Sequence, residues 1–124
     1  MTPMRSEEVV VEFNAQINHR DLDGLGSLMT DDHEFIDSAG GSVLGKAHCL
    51  DAWRGFFEQF PDYLNHFTEM NARGDEVVVV GYSTCTYALL DGPALWSAKV
   101  RDGKVAQWRV YNDTSEARAG LGIV

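Results

Sequence analysis

Two acids and an amide near strand ends are the residues of this sequence most able to do chemistry. Asp37 closes the segment "HEFID" (33–37), and Asn112 and Asp113 stand together at the end of "QWRVYND" (107–113). A carboxylate in an apolar cavity can act as a general base towards an acidic C–H group, because desolvation raises its pKa. An amide in the same cavity can orient the substrate oxygen. The three residues therefore predict proton transfer if Asp37 meets one of the other two in a common pocket.

Strand geometry allows only one of Asn112 and Asp113 to face such a pocket. Successive residues of a strand point to opposite faces of the sheet. If Trp108 and Val110 point inward, Asn112 does too, whereas the opposite phase or a bulge turns Asp113 towards the ligand. We expect the first arrangement, because Trp108 and Val110 are the bulkier apolar pair of this strand.

Helical signals fill the first half of the chain. Thr2 followed by Pro3 suits an N-cap and a first helical position, and an apolar stripe at helical spacing follows at Val10, Phe13 and Ile17. Two further helices are predicted, a short one from Asp21 to about Met29 and another from about Lys46 to Phe60.

Strands dominate the second half, after Pro61 closes the third helix. Besides a short strand at 33–37, they are the segments 64–73, 76–89, 94–101 and 104–113. Tight turns separate them, including an Asp-Gly pair, which is a strong hairpin signal. Helices followed by hairpins predict the α+β class, one domain over residues 1–124, and a cavity between the helices and a curved sheet. The Gly-rich tail "EARAGLGIV" is expected to be loosely held.

Charge and composition disfavour several classes of partner and cofactor. The net charge of −9 argues against nucleic acid and anionic membranes, which need clustered Lys and Arg. No apolar run approaches the ~20 residues of a membrane span, and "MTPMRSEEVV" lacks the apolar stretch of a secretory signal, so we expect a cytoplasmic protein. The four histidines have no metal-ligand spacing. We expect surface or loop positions for them, except for His66, which we expect to line the cavity. We therefore expect no metal and no cofactor.

Three segments carry a resemblance to a known family. They are "FNAQINHRDLDGLGSLMTDDHEFID" (13–37), "LGKAHCLDAWRGFF" (44–57) and "RDGKVAQWRVYND" (101–113). Together they resemble the nuclear transport factor 2-like superfamily, in the branch of the ketosteroid isomerases and SnoaL-like polyketide cyclases. The resemblance implies a cone-shaped fold, with about three N-terminal helices packed on a strongly curved mixed or antiparallel sheet.

The resemblance also implies roles for single residues. The steroid isomerases use an aspartate base at the end of the first strand, and Asp37 fills that position. They stabilise the enolate with a tyrosine of the first helix and a protonated aspartic acid of the sheet. Phe13 takes the place of the tyrosine, and the second acid falls close to Trp96. The chain thus keeps the base and lacks both oxyanion donors, the usual source of the largest catalytic term.

The epoxide hydrolases of the same superfamily offer an alternative interpretation. They resemble this chain in a tryptophan-arginine pair ahead of an aspartate, here Trp108, Arg109 and Asp113. Those enzymes need an Asp-Arg-Asp set, and the matching strand "GYSTCTYAL" offers neither the arginine nor the second aspartate.

The leading hypothesis is an isomerase or cyclase that binds a small apolar carbonyl or polyketide-like molecule, with Asp37 as base and Asn112 or Asp113 orienting the oxygen. A non-catalytic ligand-binding or dimerisation module and a hydrolase acting through Asp113 are the alternatives. The residues expected to contact the ligand are Phe13, Trp53, Phe57, Phe60, His66, Tyr82, Trp96, Trp108 and Val110.

A homodimer is also expected. The strand "EVVVVGYSTCTYAL" is apolar on both faces near its start, whereas a strand covered on one side only should alternate. We therefore expect two copies to pack their outer sheet faces together.

Overall fold

The computed structural model describes residues 4–123, and its elements follow the predicted order closely. They are α1 (Ser6–His19), α2 (Leu22–Ser27), β1 (Met29–Ile36), β2 (Ser42–Leu44), α3 (Lys46–Gln59), β3 (Leu64–Arg73), β4 (Glu76–Thr84), a 3-10 turn (Ala88–Leu90), β5 (Gly92–Arg101), β6 (Lys104–Asn112) and α4 (Ser115–Leu121). The α+β class with three helices before the hairpins is confirmed. The predicted cap at Thr2 lies outside the described residues.

The sheet has six strands in the order β2-β1-β6-β5-β4-β3. β3 to β6 pair as consecutive antiparallel hairpins, as predicted. β1 and β6 pair in parallel, with Phe35 opposite Trp108, so the sheet is mixed rather than wholly antiparallel. No hairpin joins these two strands, because most of the chain lies between them, and the turn signals in the sequence therefore do not determine their direction.

The inner face of the sheet carries the core. The predicted stripe Val10, Phe13 and Ile17 is fully buried, and the Phe13 ring centroid lies 4.7 Å from that of Trp108 on β6. Register places Trp96 of β5 opposite Val110 of β6, on the same face. Helix α1 thus closes one end of the inner face with apolar side chains, and α3 packs near β1 and β2 at the other.

The C-terminal tail forms a helix, which corrects the expectation of a loose segment. The Thr114 side chain caps α4 by accepting a hydrogen bond from the Ala117 N–H. Gly122 ends the helix at φ 71°, a conformation that favours glycine, and its carbonyl accepts a hydrogen bond from the Arg73 guanidinium at 3.0 Å. The end of α4 lies beside Val78, on the outer face of the sheet. Part of that face is therefore covered by the chain itself.

None of the helices within residues 4–123 has the length and apolar character required to cross a membrane.

Candidate functional site

A cavity of about 290 Å³ lies between α3 and the inner face of the sheet. Its walls are mainly aromatic and aliphatic, and it has a few polar residues. The lining consists of Phe35, Asp37, Ser38, Val43, Cys49, Ala52, Trp53, Phe56, Tyr63, Asn65, Leu90, Trp96, Trp108 and Val110. The predicted cavity between helices and sheet is thus present, and five of the predicted site residues line it.

In β6, Trp108 and Val110 point inward, as the sequence predicted. Trp108 and Val110 share the inner face and line the cavity. Asn112 follows on the same face but is exposed, and it lies in a smaller depression near Ser38 and Tyr63. Its role in orienting a ligand stays a prediction.

Asp113 points away from the cavity. Its two carboxylate oxygens accept hydrogen bonds from Arg118 of α4, at 2.6 Å from Nε and 2.9 Å from Nη2. The Arg118 guanidinium lowers the pKa of Asp113. The idea that Asp113 faces the ligand is therefore wrong, because β6 alternates regularly from Trp108 to Asn112 and an ion pair holds the Asp113 side chain on the outer side.

Three predicted aromatic contacts belong to the surrounding packing rather than to the lining. Phe13 is fully buried in the core beside His33 and Trp108. Phe57 lies behind Trp53, with ring centroids 5.5 Å apart, and Phe60 packs on Phe56 and Tyr87. The helical spacing located the apolar face of α3 correctly, but only Trp53 and Phe56 of its aromatic rings reach the cavity.

His66 and Tyr82 lie on the outer face of the sheet, so the expectation that they line the cavity is wrong. They are opposite each other in register and their rings stack at 4.7 Å. The neighbouring pair Asn65 and Ser83 has the inward position instead. A bulge after Phe67 shifts the alternation of β3, so its inward residues do not follow one period through the strand.

Asp37 lies at the rim of the cavity and shapes the turn that follows β1. Its Oδ1 accepts hydrogen bonds from the backbone N–H groups of Ala39 and Gly41, both at 2.9 Å. Within the described residues, no hydrogen-bond donor reaches Oδ2. The side chain is exposed, so the protein itself does not desolvate it as the base hypothesis expected. A ligand in the cavity would have to exclude water from the Asp37 carboxylate.

The sequence did not predict a row of buried polar side chains, joined by hydrogen bonds, beside the cavity. Ser83 Oγ lies 2.8 Å from Asn65 Oδ1 and 3.2 Å from Tyr63 Oη, and Asn65 Nδ2 donates to Asn14 Oδ1 at 3.1 Å. Burial raises the pKa of Tyr63, although hydrogen bonds to Ser83 and Asn65 oppose the shift. The signal in the sequence was the amide of Asn65 and the hydroxyl of Ser83 within two predicted strands. A polar group that turns inward is costly unless it bonds to another polar group or to a ligand.

His33 is buried, against the expectation of surface or loop positions. Its Nδ1 donates to the Val105 carbonyl at 2.6 Å, which leaves Nε2 as the unprotonated nitrogen. Nε2 has no hydrogen-bond partner within the described residues. Burial lowers the pKa of His33, so the ring is neutral at neutral pH.

The thiol of Cys49 lies in the lining of the cavity, and its surroundings do not make it reactive. Its side chain is fully buried, and burial raises its pKa. A protonated thiol is a poor nucleophile. Among residues 4–123, no group of three or more His, Cys, Asp or Glu side chains is arranged to hold a metal ion.

Several solved structures share this arrangement of helices and sheet. A candidate polyketide cyclase from Sinorhizobium meliloti has a TM-score of 0.76 and 18% identity, over 86% of this chain and 99% of that one. TerC co-crystallised with polyporic acid has a TM-score of 0.74 and 23% identity, over 92% and 95%. A protein from Catenulispora acidiphila with a ketosteroid isomerase-like fold, in complex with trimethylamine, has a TM-score of 0.71 and 18% identity, over 94% of each chain. At these identities the likeness shows the fold alone, and it confirms the expected cone-shaped architecture.

Sequence comparison identifies the family more directly. Among curated proteins, none matches this chain. A family model described as a SnoaL-like domain matches residues 10–111. Because that match spans most of the chain, this chain belongs to the SnoaL-like domain family.

Proposed function

We propose that this protein binds a small, uncharged carbonyl compound in its cavity and moves a proton on it, as an isomerase or cyclase. The observation that carries the proposal is the aromatic cavity with the carboxylate of Asp37 at its rim. Asp37 is the base, and the ring-bearing body of the ligand lies between Trp53 and Trp96.

Size and charge of the cavity support this ligand class. A volume of about 290 Å³ lies just below the ~300–1,000 Å³ typical of ligand pockets, which suits a molecule of one or two rings. The lining contains no lysine or arginine, so a carboxylate or phosphate group would find no opposite charge there. Aromatic walls favour flat, apolar ligands.

The chemistry needs no further reactant. Asp37 Oδ2 takes a proton from the carbon beside the carbonyl, the C–H electron pair becomes the C=C bond of an enolate, and the carbonyl π pair moves onto oxygen. Return of the proton to another carbon gives an isomer. Attack of the enolate carbon on a second carbonyl of the same ligand gives a ring, and the proton on Asp37 then passes to the new alkoxide.

Structures of the same fold support a small-molecule site. One was co-crystallised with polyporic acid and another is in complex with trimethylamine. A non-catalytic binding module is the second candidate, and the observation that favours it is the exposure of Asp37, whose Oδ1 is already engaged by the turn.

Proton exchange on a bicyclic ketone tests the proposal. We expect the wild-type protein to accelerate deuterium uptake at the α-carbons of 2-tetralone in D₂O, followed by NMR. Asp37→Asn should lose this acceleration by about a hundredfold or more, while its amide oxygen still accepts the two turn hydrogen bonds and preserves the fold. Asp31→Asn, at an exposed aspartate of β1, is the matched control.

The outcomes separate the two candidates. Equal exchange in wild type and Asp37→Asn would contradict the base role. Binding of 2-tetralone by the wild type without any exchange would favour the binding module.

A further inference from the structure

We infer that Tyr63 donates the hydrogen bond to the ligand's oxygen, and that Ser83 and Asn65 are its positioning residues. This inference rests on the proposed function. It supplies, from the residue just before β3, the donor that is missing at Phe13 and Trp96. The donor thus comes from a different element than the resemblance to steroid isomerases implied.

Tyr63 is held in place from several directions. Its side chain lines the cavity and is 8% exposed. Its ring meets Phe56 edge-on, with centroids 4.9 Å apart at 89°. Its N–H donates to the Phe60 carbonyl at 3.3 Å, and its own carbonyl accepts from Arg20 at 2.6 Å. A donor fixed in this way loses little freedom when a ligand binds.

The proton of Ser83 is directed away from Tyr63. A hydroxyl carries one proton, and Asn65 Oδ1, at 2.8 Å from Ser83 Oγ, is nearer than Tyr63 Oη, at 3.2 Å. The orientation of the Asn65 amide is set from its other side, because Nδ2 donates to Asn14 Oδ1. Ser83 therefore donates to Asn65, and the Tyr63 proton remains available.

The Tyr63 proton is only weakly engaged within the protein. Tyr63 Oη lies 3.2 Å from Ser83 Oγ, which is longer than the ~2.7–2.8 Å typical of O–H···O hydrogen bonds. An enolate oxygen is a stronger acceptor than a serine hydroxyl. Because burial raises the pKa of Tyr63, the phenol keeps its proton at neutral pH. The hydroxyl proton of Tyr63 can therefore point at a developing negative charge in the cavity while the ring stays in place.

Binding of 4-nitrophenol tests the inference. Its phenolate oxygen resembles an enolate oxygen, and its absorbance reports its ionisation. We expect Tyr63→Phe to weaken binding of the ionised phenol by about tenfold to a hundredfold and to raise the pKa of the bound probe. Ser83→Ala should shift that pKa less, because the donor remains but is less well oriented. Tyr87→Phe is the matched control, since Tyr87 is 48% exposed and is not part of the cavity lining.

The pKa of the bound probe separates a donor from a structural residue. Loss of packing alone would weaken the neutral and ionised forms of the phenol equally and leave that pKa unchanged. An unchanged pKa and affinity in Tyr63→Phe would overturn this inference and leave the proposed function standing. Absence of 4-nitrophenol binding by the wild type would also overturn this inference, whereas deuterium exchange of 2-tetralone decides the proposed function separately.

Discussion

Arg118 of α4 binds the carboxylate of Asp113 through two nitrogens, and this pair joins the last helix to the end of β6. The same α4 covers part of the outer sheet face, where Arg73 donates to the carbonyl of Gly122. The acid that the sequence offered as a catalytic alternative is therefore a structural anchor. This pair bears on two expectations from the sequence. The tail, expected to be loosely held, is helical, and Asp113, which the hydrolase hypothesis requires in the pocket, is bound to Arg118 instead.

Weakening this anchor should release α4 without changing the cavity. We expect Asp113→Asn to increase amide hydrogen exchange in residues 117–121 and to leave ligand binding at the wild-type level. The pKa of Asp113 is lowered in the folded protein, so the stabilisation is present above the ordinary aspartate pKa of about 3.9 and is lost as the pH falls through the folded value. Exchange measured by mass spectrometry in Asp113→Asn, with Asp102→Asn as control, checks this. Equal protection of α4 in both variants would contradict the anchor role.

His33 should make the fold sensitive to mild acid. Because burial lowers its pKa in the folded protein, the unfolded chain binds a proton that the folded chain does not, once the pH falls below about 6.5. Stability should therefore decrease from pH 7 towards pH 5, as measured by urea unfolding. His33→Phe should flatten this dependence, even if it lowers stability at pH 7 by leaving the Val105 carbonyl without its donor. His48→Gln, at an exposed position, should retain the wild-type slope. A steep slope retained in His33→Phe would rule out this origin.

Local chemistry made part of this fold predictable from the sequence. The Asp102-Gly103 turn predicted the hairpin of β5 and β6, and the bulk of Trp108 and Val110 predicted the phase of β6. The features that the sequence did not predict depend on distant partners. The inward position of Asn65, instead of His66, depends on pairing with β4 and on a bulge in β3. The helicity of α4 depends on docking against the sheet, since its seven residues are too few for an isolated helix to be stable.

Filling the cavity should remove binding without removing the fold. Val110→Phe places a larger side chain among Trp96, Trp108 and Leu90 in the lining. We expect affinity for 2-tetralone and 4-nitrophenol to fall at least about tenfold, because the added ring takes space that the ligand needs. The melting temperature should change little, since half-buried Val110 borders open space. Val11→Phe, at a position 53% exposed, is the control. Unchanged binding of both ligands in Val110→Phe, measured by calorimetry, would place their site elsewhere.

The expected homodimer would form through the outer face of the sheet, and α4 reduces the area of that face that is open to a second copy. α4 covers the outer face near Val78, whereas Tyr82 on the same face is 43% exposed and stacks on His66. Two copies that pair there would bury aromatic surface, and we expect sedimentation velocity at micromolar concentration to show a dimer. Tyr82→Glu should convert it to a monomer, since two carboxylates brought together in an apolar interface repel each other and lose their hydration. Tyr87→Glu, at a comparably exposed tyrosine by the 3-10 turn, should leave the dimer intact. A wild-type monomer would contradict the homodimer itself, and a dimer that survives Tyr82→Glu would show that the copies meet through another face.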